Sequence, residues 1–192
     1  MVCRAAMMRD DGKTMEEIAA WIEDAKNAVQ QHFLVDDLRF LSRGGRISGV
    51  AAFVGAMLQI KPMLKGEGGR IVFNRNVPGR QMALRALAEI FDRTAVDAAS
   101  QTIGIAHAGC EQDALKLRDL IAAKRHVGDF MIVCYEPGTG SHVGPGAVAL
   151  FYYGMDDVPE ALSTVLLKKL DLDSGRLLTF LADKQKSFKG EK

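Results

Sequence analysis

Cysteine is scarce in this chain, no apolar run is long, and neither a repeat nor a low-complexity segment is present; each shortage removes a class of protein. Cys3, Cys110 and Cys134 are odd in number and share no metal-ligand spacing, which fits reduced thiols and not a disulfide framework. No His, Cys, Asp or Glu group has the spacing of a metal site, and nothing points to a cofactor. The longest apolar stretch, residues 49–58, is too short to cross a bilayer and leads into Gln59 and Lys61. Residues 1–20 carry Asp10, Asp11, Glu16 and Glu17 where a secretory leader needs an apolar run. The expectation is a cytoplasmic chain without membrane insertion. Aromatics are few in the most basic stretch, where Phe40, Phe53 and Phe73 sit among glycines and apolar runs, so a nucleic-acid surface with stacking platforms is disfavoured.

The composition that remains, 48% hydrophobic and 26% charged over 192 residues, is that of an ordinary globular protein able to bury one good core, or one domain with attached fragments. Its net charge of +1 conceals an uneven distribution. Arg39, Arg43, Arg46, Lys61, Lys65, Arg70, Arg75, Arg80 and Arg85 stand against Glu67 alone, so the rest of the chain is acidic. Two readings of this stretch are open: a solvated arginine face, or a docking patch for an anion or an acidic partner.

Two glycine-rich segments carry most of the information: residues 41–48, Leu-Ser-Arg-Gly-Gly-Arg-Ile-Ser, and residues 140–146, Gly-Ser-His-Val-Gly-Pro-Gly. Each packs glycines around one functional side chain, Arg46 and His142, which is how a backbone is brought close to an anionic or polar group. The flanking residues 50–64 and 147–153 are strongly apolar. The pattern is that of a polar head site beside an apolar wall.

Helical and strand patterns alternate. Thr14-Met15-Glu16-Glu17 is a capping box that opens a helix to about Gln31, with Ile18, Ile22, Ala25 and Val29 on one face. A short strand is expected over 33–35, then a cap at Asp36 and a short helix over 37–43 ended by Gly44-Gly45. Residues 49–59 suggest a buried helix stopped before Pro62, residues 66–69 a turn, 70–74 a strand and 80–93 an amphipathic helix. Strands over 102–107 and 130–135 flank a helix over 112–123; a glycine loop over 138–146 precedes an apolar strand over 147–153. Near-continuous apolar strands suit a sheet covered on both faces, so the expected class is α/β, a layered sheet with helices on either side. The expected organisation is an N-terminal helical segment over 1–31, the main lobe over 32–154 and a helical tail over 155–192, whose stripe of Leu162, Val165, Leu166 and Leu170 is core packing or a partner face.

The catalytic templates fail. Gly138-Thr139-Gly140 lacks the Lys-Ser or Lys-Thr pair of a phosphate loop, and no helix start is evident there. Ser141 and His142 would diverge on an extended backbone, leaving a hydrolase triad without partners. Cys110 at a helix start could hold a thiolate, but an inert thiol is the better expectation. His32 and His126, at element ends, are expected at the surface. The chain is not expected to be an enzyme.

Four segments in order, residues 37–48 with their Arg-Gly-Gly-Arg core, 58–64 (Leu-Gln-Ile-Lys-Pro-Met-Leu), 103–109 (Ile-Gly-Ile-Ala-His-Ala-Gly) and 142–147 (His-Val-Gly-Pro-Gly-Ala), resemble the DegV-like fatty-acid-binding family over residues 12–154. The resemblance implies a protein that buries a long-chain fatty acid in an apolar tunnel and presents its carboxylate to a separate kinase subunit. It implies a ligand-binding set of Arg46, His142, Gly45 and Gly144 and an acyl wall of Val50, Phe53, Val54 and Met57. In the family's Lys-Val-Arg-Gly segment an arginine engages the kinase; here residues 76–80 are Asn-Val-Pro-Gly-Arg, with Pro78 in that slot, so Arg43, Arg75 and Arg80 are the docking candidates. The family also has an N-terminal lobe with two hydroxyl residues that grip the carboxylate, for which nothing before Gly12 stands. From this follow weakened fatty-acid binding, a homodimer or folded-back tail covering the exposed wall, and the alternative of an interaction or structural module that keeps the fold without lipid.

Overall fold

Along residues 32–35 the side chains alternate: His32 and Leu34 turn to one face of a six-stranded sheet, Phe33 and Val35 to the other. The structure, a computed structural model, describes residues 1–47 and 60–155. The chain separates into two units, Met1–Gly154 and Met155–Lys192, and the description concerns the first. It runs α1 (Val2–Asp10), α2 (Met15–Ala25), β1 (Val29–Leu34), α3 (Leu38–Arg43), β2 (Ile60–Glu67), β3 (Arg70–Pro78), α4 (Arg80–Thr94), β4 (Thr102–His107), α5 (Glu111–Ala122), β5 (Asp129–Cys134), α6 (Pro137–Val143) and β6 (Val148–Tyr153). The sheet order is β3-β2-β1-β6-β4-β5; β4 and β5 are parallel and every other pair is antiparallel.

One face is covered by α4 and α5. Ala83, Leu84, Leu87, Ile90, Phe91 and Thr94 recur at helical spacing along α4 and pack with Leu117 and Ile121 of α5 over Leu34, Met63, Ile103, Ile105, Val148 and Leu150. The polar members of this layer are partnered: the Thr94 hydroxyl donates to the Ile90 carbonyl at 2.7 Å and lies 2.6 Å from the Tyr152 hydroxyl. The other face is covered at one end by α3 and α6 through Val35, Leu38, Leu41, Leu64, Val143 and Ala147. Further along it Phe73, Met131, Val133 and Tyr153 stay 39% to 46% exposed. Helices therefore lie on both sides of an α/β sheet.

Several local expectations change. The capping box forms, with the Thr14 side chain accepting from Glu17 N–H, but α2 stops at Ala25; a 3₁₀ turn over Lys26–Ala28 leads straight into β1. Val29, the last residue of the apolar face expected to carry the helix to Gln31, belongs instead to a strand whose β-pairing with β6 begins there. Residues 60–67 form β2, an element the sequence hides because Pro62 reads as a stop. The Pro62 carbonyl accepts from Val35 N–H, just beyond β1, so the missing donor falls outside the β1 ladder. Only Gly68 and Gly69 make the turn into β3, both at positive φ, the geometry of a tight hairpin. His32 is 1% exposed, not at the surface, and stacks on Tyr152 with ring centroids 5.9 Å apart. The helix expected over 49–59 lies outside the described residues.

Candidate functional site

α3 begins where Asp37, the residue after the expected cap Asp36, accepts the Arg39 N–H at 2.9 Å. The Arg39 guanidinium on the same carboxylate holds the Asp37 carboxyl below its usual range. The helix ends in a Schellman turn: Arg46 N–H donates to Leu41 C=O and Gly45 N–H to Ser42 C=O, both at 3.0 Å, with Gly45 at φ +67°. The turn delivers Arg46 to the surface, where its guanidinium donates to the Gly44 carbonyl.

The expected glycine loop over 138–146 is in fact helical as far as Val143. Pro137 occupies the first turn of α6, and the Glu136 side chain accepts from the Gly138 and Thr139 N–H groups, so glycines that alone would favour a loop are held in a helix by its cap. Hydrogen bonds from Thr139 and Gly138 hold the Glu136 carboxyl below its ordinary value. Ser141 and His142 therefore sit on a helix, with His142 in its last turn. His142 packs onto Gly44: a β-carbon there would overlap its Nδ1 and come within 3.2 Å of its Cε1. The two glycine-rich segments thus meet at one residue, with Arg46 bonded to the Gly44 carbonyl and His142 against the Gly44 Cα.

A second contact locks the same pair of segments. Gly144, at φ +79°, lies so close to Phe40 of α3 that a β-carbon would come within 2.5 Å of its ring, and the Arg43 guanidinium lies 5.4 Å from the centroid of that ring. Beneath α3 and α6 lies an apolar cavity of about 10 Å³, lined among others by Phe33, Leu41, Leu64, Tyr135, Val143 and Ala147. Burial pushes the Tyr135 hydroxyl up to about 12, so the wall carries a neutral phenol. The arrangement is a cation and an imidazole that converge on Gly44, with the imidazole next in sequence to Val143 of the apolar lining. Val50, Phe53, Val54 and Met57, the expected acyl wall, lie outside the described residues.

A polar cluster that sequence reasoning missed sits at the same end of the sheet. The Arg80 guanidinium reaches Asp36 from Nη1 at 2.9 Å and Asp113 from both Nε and Nη2 at 2.8 Å, and Lys61 Nζ reaches Asp36 at 2.8 Å. Its four members come from positions 36, 61, 80 and 113, so no local spacing could announce it. With its side chain only 18% exposed, Arg80 is engaged inside the chain; Arg43 and Arg75 are the exposed members of the expected docking set. The flanking carboxylates hold the Arg80 guanidinium above its ordinary value against the opposing effect of burial. Cys110 stands at the N-terminal boundary of α5 without a side-chain cap bond; its thiol donates to Ala147 C=O at 3.3 Å, and burial pushes that thiol up, which is the chemistry of an inert cysteine. Among the described residues no His, Cys, Asp or Glu group could hold a metal ion, and no helix is long and apolar enough to cross a membrane.

Comparison with known proteins places these features in a family. The model of the DegV family, described as an uncharacterised protein, matches residues 1–154. A DegV domain-containing protein of Clostridium perfringens is 40% identical over 155 residues, a match that covers 80% of this chain and 53% of that protein. The crystal structure of a fatty acid binding DegV family protein from Streptococcus agalactiae aligns with a TM-score of 0.68 at 30% identity, covering 80% of this chain and 54% of that one. The structure of DegV from Bacillus subtilis, described as a fatty acid binding protein, aligns with a TM-score of 0.64 at 32% identity over 77% of this chain and 52% of that one. The chain spans about half the length of the relatives it matches.

Proposed function

The chain belongs to the DegV family, and on that footing we propose that it binds a long-chain fatty acid, with the carboxylate held by Arg46 and His142 and the acyl chain along the apolar face beneath α3 and α6. The observation that carries this reading is the convergence of Arg46 and His142 on Gly44 near a seam lined by apolar side chains and Tyr135. A cation beside a second hydrogen-bond donor suits a carboxylate, and each buried methylene contributes about 0.8 kcal/mol, so the tail supplies the affinity and the head the orientation. Gly45 gives the Arg46 turn its left-handed residue and Gly144 the close approach to Phe40. Val50, Phe53, Val54 and Met57 complete the wall in this proposal.

The carboxylate would be presented to a fatty-acid kinase subunit, with the exposed Arg43 and Arg75 as the docking side chains and Arg80 acting from within. Half of the relatives' length lies outside the match, and the resemblance puts two hydroxyl donors there, so these 192 residues alone should bind more weakly than a two-lobe relative. A homodimer that covers the open apolar face is part of the same proposal. A second reading, a structural or interaction module without lipid, is favoured by the cavity itself, whose 10 Å³ holds about one water.

Titration of the purified chain with oleate, beside His142→Ala, separates the two readings. Replacing the imidazole removes a polar contact and leaves little cavity, so affinity should fall by about 1 to 3 kcal/mol while cooperative unfolding persists. Equal affinity in the two proteins would reduce His142 to a residue that shapes the end of α6, and no binding by either would favour the module.

A further inference from the structure

We propose that Arg80 is a positioning residue for the carboxylate site: by holding Asp36 it fixes how α3 and the segment after α6 approach each other, and so where Arg46 and His142 meet. The proposal rests on the reading of that site as a carboxylate site.

Asp36 is connected to both halves of the site. It directly precedes Asp37, the cap from which α3 runs to Gly44 and Arg46. It also receives the backbone of Gly146, four residues past His142: a β-carbon at Gly146 would overlap Asp36 Oδ2 and lie 3.6 Å from Arg80 Nη1. Gly146 is held from its other side, where its N–H donates to Ala108 C=O at 2.8 Å. A shift of Asp36 therefore moves the start of α3 and the exit of α6 together. Arg80 sets the position of Asp36 because it is anchored elsewhere: its Nε donates to Asp113 Oδ2 at the first turn of α5, with Nη2 at an ion-pair distance of 2.8 Å from the same oxygen.

The residue type matters. A guanidinium can meet one carboxylate with Nε and Nη2 and a second with Nη1, whereas an ammonium is a point charge without that fork. Lys61 also lies 2.8 Å from Asp36, so Asp36 keeps a cation when Arg80 is changed. Arg80→Lys thus removes the fork and retains the charge, which separates positioning from simple neutralisation.

The test uses the full chain in two measurements: oleate affinity, and the side-chain ¹H–¹⁵N resonances of His142 without ligand. Arg80→Lys should weaken oleate binding about tenfold and shift the His142 resonances, while the chain still unfolds cooperatively. In the His142→Ala background the same change should cost less than in the parent, because only the part of its effect that passes through Arg46 remains. Asp36→Asn, which keeps shape and weakens the pair, should shift the same resonances and serves if Arg80→Lys does not fold. Unmoved His142 resonances in the folded variants, or an equal loss of affinity with and without His142, overturns the proposal. Absence of oleate binding in the unchanged chain would instead refute the carboxylate reading, and the resonances would still decide whether Arg80 positions His142.

Discussion

Gly44 lacks the β-carbon that would strike His142, and its neighbour Gly45 lacks one for a different reason. Gly44 has helical φ of −76°, so alanine there is acceptable to the backbone and only the imidazole must give way. Gly45 has φ +67° and nothing within 4 Å of an added β-carbon, so alanine there strains the backbone and touches nothing. Gly44→Ala should keep stability near that of the parent and lower oleate affinity as far as His142→Ala does, by about 1 to 3 kcal/mol. Gly45→Ala should cost about 1 kcal/mol of stability and leave affinity nearly unchanged. Thermal unfolding with oleate titration checks the pair; a larger binding loss at Gly45 than at Gly44 would show that the imidazole does not act from where it packs. Which of the two glycines answers to sterics and which to backbone could not be read from their order, since that depends on a side chain 98 positions away.

Elements with strong periodicity were legible, and elements defined by their neighbours were not. The strand over 102–107 stands at its expected bounds and α4 ends one residue beyond its expected end, because β-branched alternation and an apolar stripe through Leu84, Leu87 and Phe91 leave little choice. β2 was lost to Pro62, whose tolerance depends on where β1 stops, and α6 was lost to its glycines, which a cap at Glu136 overrides. α3, six residues long, has little intrinsic stability and relies on its cap and on Leu38 and Leu41 packed beneath it. Asp37→Ala should cost about 1 kcal/mol at neutral pH. The Arg39 ion pair lowers the Asp37 carboxyl in the folded chain from its usual 3.8, so its contribution is present above that value and is lost as pH falls through the folded value. Denaturant unfolding of both proteins should therefore converge in acid; a gap that persists well below the carboxylate range would show that the cap acts by shape alone.

At the scale of the molecule, the fold class and the family were legible because four spaced segments survive in order. Arg80's engagement was not, because an ion-pair network drawn from β1–α3, β2, α4 and α5 exists only once the sheet has assembled. The same assembly divides the basic stretch between 39 and 85 into two uses: Lys61 and Arg80 hold the end of the sheet together, while Arg43 and Arg75 remain at the surface. The exposed pair suits either of the two readings of the stretch, a solvated face or the proposed docking patch for an acidic partner, while the inner pair is structural. The central claim, that this chain takes a fatty acid with its head between Arg46 and His142, meets its most direct test in native mass spectrometry of the full chain, purified without lipid and then mixed with oleate. The account predicts one added acyl mass per chain with oleate, diminished in His142→Ala and in Gly44→Ala. A bare protein mass at every oleate concentration, from a chain that unfolds cooperatively, would contradict it.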